Sequence, residues 1–266
     1  MLNSLKPILI ACVLAFVSTP GAQAIELASH RAAYDVSLAA SSDTKAVTAA
    51  KGQVAFGVEK VCGGWLSAQT GTMNLHLSSG DVMPQTLHYS SWESDDGHQY
   101  RFSVKVEGNG DEVILGTAQI RPSAEGIANF TRPEPTQFTL PQGTLFPVSH
   151  TGFMIDAARA GNTQAESYIF EGTQVEGARL LIAFISPLSN EAKAVQEKLG
   201  GELLSRSGWN FRLAYFDPKS QTGEPLYEVE ADLLDNGVAL RWVLDYGVYA
   251  VEIKLNKIER LVKPDC

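Results

Sequence analysis

The sequence is short of several things, and each shortage excludes something. No apolar run approaches the roughly 20 residues a spanning helix needs; the longest, Ile8–Val17, is ten residues. Cysteine is scarce, with Cys12, Cys62 and Cys266 only, so the chain is no dense disulfide scaffold. Positive charge is in deficit, 21 basic against 30 acidic side chains, and no Lys/Arg cluster interrupts that balance. An acidic surface of this kind repels nucleic acid and anionic head groups, so a nucleic-acid partner is not expected. Catalytic signatures are missing too. There is no His-Glu-x-x-His, no Gly-x-Ser-x-Gly elbow, and no Ser-x-x-Lys in a helical setting. His30, His76, His88, His98 and His150 are scattered without metal-ligand spacing. Neither an enzyme, a cofactor nor a metal is therefore expected, and carboxylates meeting only in space are the one route back to a hydrolase.

What is present begins at the N-terminus. Lys6, the run Ile8–Val17 and the small residues of Ala22-Gln23-Ala24 form the three parts of a secretory signal peptide. It is expected to span 1–24, with cleavage after Ala24 and delivery to the periplasm. Leu9-Ile10-Ala11-Cys12 has the look of a lipobox, but its apolar run continues beyond the cysteine, so lipidation of Cys12 is disfavoured. Cleavage leaves Cys62 and Cys266, an even pair in an oxidising compartment. A bridge between them would fasten the last residue to an early strand and close a loop of about 200 residues, worth at most about 5 kcal/mol by chain entropy. No second long apolar run follows, so no transmembrane span is expected in the mature chain.

Period-2 alternation dominates the rest. Tyr100, Phe102, Val104 and Val106 alternate with Arg101, Ser103, Lys105 and Glu107, giving one apolar and one wet face. Tyr227–Leu233 alternates up to Asp235-Asn236-Gly237, a hairpin turn, followed by Val238, Leu240, Trp242 and Leu244, and then by Tyr249, Val251, Ile253 and Leu255. Tyr34–Leu38, Val54–Val58, Trp65–Leu77 and Pro84–Trp92 read the same way. The expected fold is mainly β, an antiparallel meander of about 12–14 strands over 25–266 as a single domain, with one or two short helices. Free edges are managed by curling toward a barrel or spiral. The helices are expected at Thr151–Ala160, as a plug for the inner surface, and within Ser189–Gly200. Between the halves, 132–147 holds Pro133, Pro135, Pro141 and Pro147 and reads as a crossing loop or sheet edge. Leu140–Thr144 reads as a turn that places Phe146 on the core.

Several segments together carry a family likeness: Val61-Cys62-Gly63-Gly64-Trp65, Leu140–Pro147 with His150 after it, Asp235-Asn236-Gly237 with Asp245-Tyr246-Gly247, and a cysteine in the last position. With these in order across the mature chain, the sequence resembles the EipB family of periplasmic cell-envelope integrity proteins. The resemblance implies a β-spiral like a broken barrel, a disulfide falling on Cys62 and Cys266, and envelope maintenance without enzymatic activity. It supplies no ligand and no active site.

The residues leave three functions to weigh. A curved aromatic-lined sheet or its rim engages another envelope protein; a concave face shelters a lipid or acyl chain; or an envelope hydrolase operates. His150, Phe153, Trp65 and Trp242 are the candidate binding surface, with core packing as the plainer role for the tryptophans. An open apolar cavity between helix and sheet would favour the carrier, and a filled interior would favour the scaffold.

Overall fold

The computed structural model describes residues 27–40, 46–108, 110–220 and 223–266. The expected leader, its cleavage site and Cys12 lie outside the described residues. Eight strands come first: β1 (His30–Leu38), β2 (Val47–Val61), β3 (Gly64–Leu77), β4 (Val82–Ser94), β5 (Gln99–Glu107), β6 (Glu112–Arg121), β7 (Ala124–Arg132) and β8 (Thr136–Leu140). Then follow β9 (Thr144–Leu145), helix α1 (Pro147–Arg159), β10 (Gln164–Ile169), β11 (Arg179–Pro187) and helix α2 (Asn190–Leu199). The chain closes with β12 (Gly208–Phe216), β13 (Tyr227–Leu234), β14 (Ala239–Asp245) and β15 (Ala250–Arg260). Among the described residues no helix is long and apolar enough to cross a membrane.

The fifteen strands of the described residues join one sheet, in the order β8 through β1, then β15 down to β9. Every pairing is antiparallel except β9 with β10. Each half is a meander, and the two are joined where β1 pairs with β15 from His30↔Arg260 to Leu38↔Val251. The sheet's two edges, β8 and β9, are consecutive in the chain. It therefore curls into a nearly closed, barrel-like spiral.

Alternation sets which side faces inward. In β1, Ala32, Tyr34 and Val36 are buried while Arg31, Ala33 and Asp35 are exposed. The inner row continues through Phe56, Gln69, Tyr89, Val104 and Ile114, cross-strand partners on five successive strands. Burying such rows is the main favourable term in the fold, about 25 cal/mol per Å² of apolar surface. The hairpin at Asp235–Gly237 forms as its residues dictate: Gly237 takes φ +82°, open to glycine, and its N–H donates to the Leu234 carbonyl at 2.9 Å.

The strand total exceeds the twelve to fourteen that periodicity counts. The reason is local: β8 sits inside the proline-rich stretch and β9 is two residues long, so neither shows an alternating run. The stretch does hold a sheet edge, since among the described residues β8 pairs only with β7. Phe146 is fully buried, as the turn reading expects. Helix α1 starts at Pro147, four residues before the expected Thr151, because proline's fixed φ suits a first helical position, where its missing N–H has no helical partner to lose. Helix α2 is capped by Ser189, whose hydroxyl accepts from the Ala192 N–H at 3.0 Å and donates to Asp232 at 2.7 Å. Its Ala192 and Val195 join the core cluster of β1–β3 and β13–β15.

Candidate functional site: the interior cavity

Helix α1 has no capping side chain of its own, because its N-cap position is Phe146. The cap arrives from β4 instead. The Glu93 carboxylate accepts from the Val148 N–H and the Ser149 N–H, each at 2.8 Å, and from the Ser149 hydroxyl. A buried carboxylate facing two free N–H groups at a helix start is stabilised by those hydrogen bonds and by the helix dipole. Burial raises the Glu93 pKa, and the three hydrogen bonds pull the other way. Farther along, Met154, Ala157 and Ala158 pack against Ile169, Leu181 and Phe211. The helix is thus held against the inner surface at both ends.

Between α1 and the sheet lies a cavity of about 400 Å³, within the range of small-molecule sites. One wall is aromatic: Phe56, Phe211, Tyr215 and Trp242. Ala231 lies between Phe211 and Trp242 in one cross-strand row, and its small side chain leaves space between the two rings. The facing wall carries Leu87, Tyr89, Val104 and Val106, and α1 contributes Pro147, His150, Thr151 and Met154. Polar groups are few. The Tyr89 and Tyr100 hydroxyls are hydrogen bonded to each other, and Tyr100 donates to the Glu171 carbonyl at 3.0 Å. Burial raises the pKa values of Tyr89, Tyr100, Tyr215 and Tyr227, and the Glu171 carboxylate adds to that effect. Burial raises its own pKa, with Arg179 opposing.

His150 is buried, and burial lowers its pKa to about 4. Its Nε2 is among the buried polar atoms with no hydrogen-bond partner. The imidazole is therefore neutral at neutral pH, which favours the apolar setting. An unfolded chain binds this proton near the usual 6.5, whereas the folded chain binds it only near 4. Between those values the unfolded state holds more protons, and stability falls as pH falls. The His150 contribution to that loss approaches about 3 kcal/mol. Urea unfolding at pH 7 and pH 4.5 should show His150→Gln losing about 2–3 kcal/mol less than wild type over that interval. Equal losses would remove the assignment. The difference between proteins is the readout because Glu93 and Glu171, with raised values, act in the opposite direction, while His30 acts in the same one.

Of the four residues expected to form a binding surface, His150 and Trp242 line this cavity together. Trp65 pairs with Glu93 across β3 and β4 at the rim beside Cys62, with Lys60 Nζ 5.8 Å from its ring centre. Phe153 is on the exposed side of α1, its ring 6.4 Å from that of His150. Neither of the two lines the cavity. Sequence reasoning missed Glu93, Tyr89, Tyr100 and Glu171. His76 and His88 sit on neighbouring strands but pair with Val82 and Thr70, well apart along the ladder. Among the described residues no group of three or more His, Cys, Asp or Glu side chains could hold a metal ion.

The disulfide joins Cys62, in the β2–β3 turn, to Cys266, with Cα atoms 5.8 Å apart across a sequence separation of 204. It fastens the segment after β15 beside the β1 start, where the Leu261 N–H also donates to the Ser29 carbonyl at 2.9 Å.

Comparison with known proteins follows the same lines. The EipB-like family profile matches residues 21–262. The cell envelope integrity protein EipB of Brucella abortus (strain 2308) is 24% identical over 246 residues, covering 90% of this chain and 86% of that protein. A crystal structure of a beta-barrel-like protein from Brucella abortus superposes with a TM-score of 0.81 at 20% identity, over 90% of this chain and all of that one.

Proposed function

The chain belongs to the EipB-like family, and from that premise we propose that it supports cell-envelope integrity from the periplasm as a non-catalytic binding protein. Residues 25–266 act as one domain around a single curled sheet. The ligand is apolar, an acyl chain or similar group held between α1 and the inner face. One observation carries this reading: the interior is not filled, and the roughly 400 Å³ space left there is walled mainly by apolar and aromatic side chains.

Lipid extraction and native mass spectrometry after gentle purification from periplasm test it directly. A co-purifying lipid, or binding of a fluorescent fatty acid displaced by added acyl chains, is the expected result; absence of both sinks the carrier reading. Ala231→Phe supplies the sharper control. A ring at this position fills the gap between Phe211 and Trp242, so binding should weaken at least tenfold. The melting temperature should change by only a few degrees, because the added carbons enter existing space.

Engagement of another envelope protein is a second reading, and the free edge of β8 favours it. A cleft of about 480 Å³ runs beside that edge, lined by Phe138, Pro141 and Val175 with Arg179, Asp217 and Lys219. An unpaired edge can accept an added strand. A pull-down from envelope extracts, repeated with Phe138→Asp, should lose its partner if the edge is used.

A further inference from the structure

The lining of the cavity is uneven in charge, and that bears on the head group of whatever enters it. Among the described residues no lysine or arginine lines the space, and Glu171 is its one carboxylate. The cation that acts electrostatically on Glu171 is Arg179. That guanidinium lies outside the lining. It pairs with Glu176 at 2.9 Å, bonds Gln174, and sits 5.5 Å from the Tyr227 ring centre. The remaining walls offer ring faces, whose negative quadrupole attracts cations and repels anions.

A carboxylate or phosphate head group in this space would face the Glu171 carboxyl group and negative ring faces in a poorly solvated setting, with no cation in the lining to offset them. An ammonium or a hydroxyl would find an acceptor in Glu171 and aromatic faces around it. Resting on the carrier reading above, we infer that the cavity selects single-chain amphiphiles whose head group donates hydrogen bonds and carries no negative charge. Glu171 is the residue that excludes anions.

Isothermal titration calorimetry at pH 7.5 with decylamine, 1-decanol and decanoate, each below its micellar concentration, tests this with one tail and three heads. Wild type should bind the amine and the alcohol at least tenfold more tightly than decanoate. Glu171→Gln, which removes the charge but keeps an acceptor oxygen, should bring decanoate to within about threefold of decanol, and a melting temperature within a few degrees of wild type reports an intact cavity. Ala231→Phe should lose all three, separating cavity binding from adsorption of the amine on an acidic surface. Decanoate bound by wild type as tightly as decanol, or a preference untouched by Glu171→Gln, overturns the inference and leaves the carrier reading standing. No binding of any probe, or binding that survives Ala231→Phe, overturns the carrier reading itself. The wild-type ranking decides the matter even if Glu171→Gln does not fold.

Discussion

A chain carrying Cys266→Ser is expected to melt about 10 °C below wild type, a loss of roughly 3–5 kcal/mol at the few degrees per kcal/mol usual for this size. The upper end comes from loop closure over the 204-residue separation. The lower end reflects what remains without the bridge. β15 is still held to β1 by nine residue pairs, and the Leu261 N–H still reaches Ser29. The free sulfur thus releases mainly the six residues after Arg260, where Val262 is already exposed. Limited proteolysis with a broad-specificity protease should cut the variant first within residues 261–266. Dithiothreitol should lower the wild-type melting temperature by the same amount and leave the variant alone. Identical melting with and without reductant would show that the bridge contributes nothing.

Glu93→Ala should cost a similar amount, about 3–5 kcal/mol, for a different reason. Truncation leaves the Val148 and Ser149 N–H groups and the Ser149 hydroxyl without their acceptor, in a place that is buried. Each stranded donor costs about 1–3 kcal/mol. Phe146 offers no substitute cap. Glu93→Gln keeps one oxygen in place and should fall between the two. The signature beyond melting temperature is local: hydrogen exchange at Val148 and Ser149 should rise in Glu93→Ala more than at β12 amides. Near wild-type stability and unchanged protection would remove Glu93 as the anchor of α1.

Much of this fold is legible in the residues because period 2 is a strong signal wherever one face is wet. Tyr100–Glu107 and Tyr227–Leu255 yield their strands, their inward sides and their turns without ambiguity. β8 and β9 are too short and too close to prolines to show a pattern. The disulfide is legible from count: with Cys12 assigned to the expected leader, two cysteines remain and have one partner each.

The site is legible only in part. Trp242 falls on the inward side of a clear alternation, and His150 stands beside a helix start, so both could be selected. Trp65 is on the same inward row as Glu93, but alternation says nothing about distance along the barrel, and it lies at the rim. Glu93 did leave a trace: it shares the inward parity of Tyr89 and Ser91, and a carboxylate there demands donors. Those donors are 55 and 56 residues away in sequence, and only the folded chain brings them together. Glu171 lies just past the end of β10, where no periodicity assigns a side, and only the cavity gives it meaning.

The pairing of β1 with β15 places the first and last strands side by side in the middle of the sheet, while both free margins come from the centre of the sequence. The molecule is topologically a rearranged up-and-down ribbon. If its ends were spliced and the backbone cut between Pro141 and Gly143, the strands would run from one margin to the other in strict order, β9 to β15 and then β1 to β8. The covalent clasp already stands in for that splice, and so the gap in the wall lies at mid-chain, far along the sheet from the clasp.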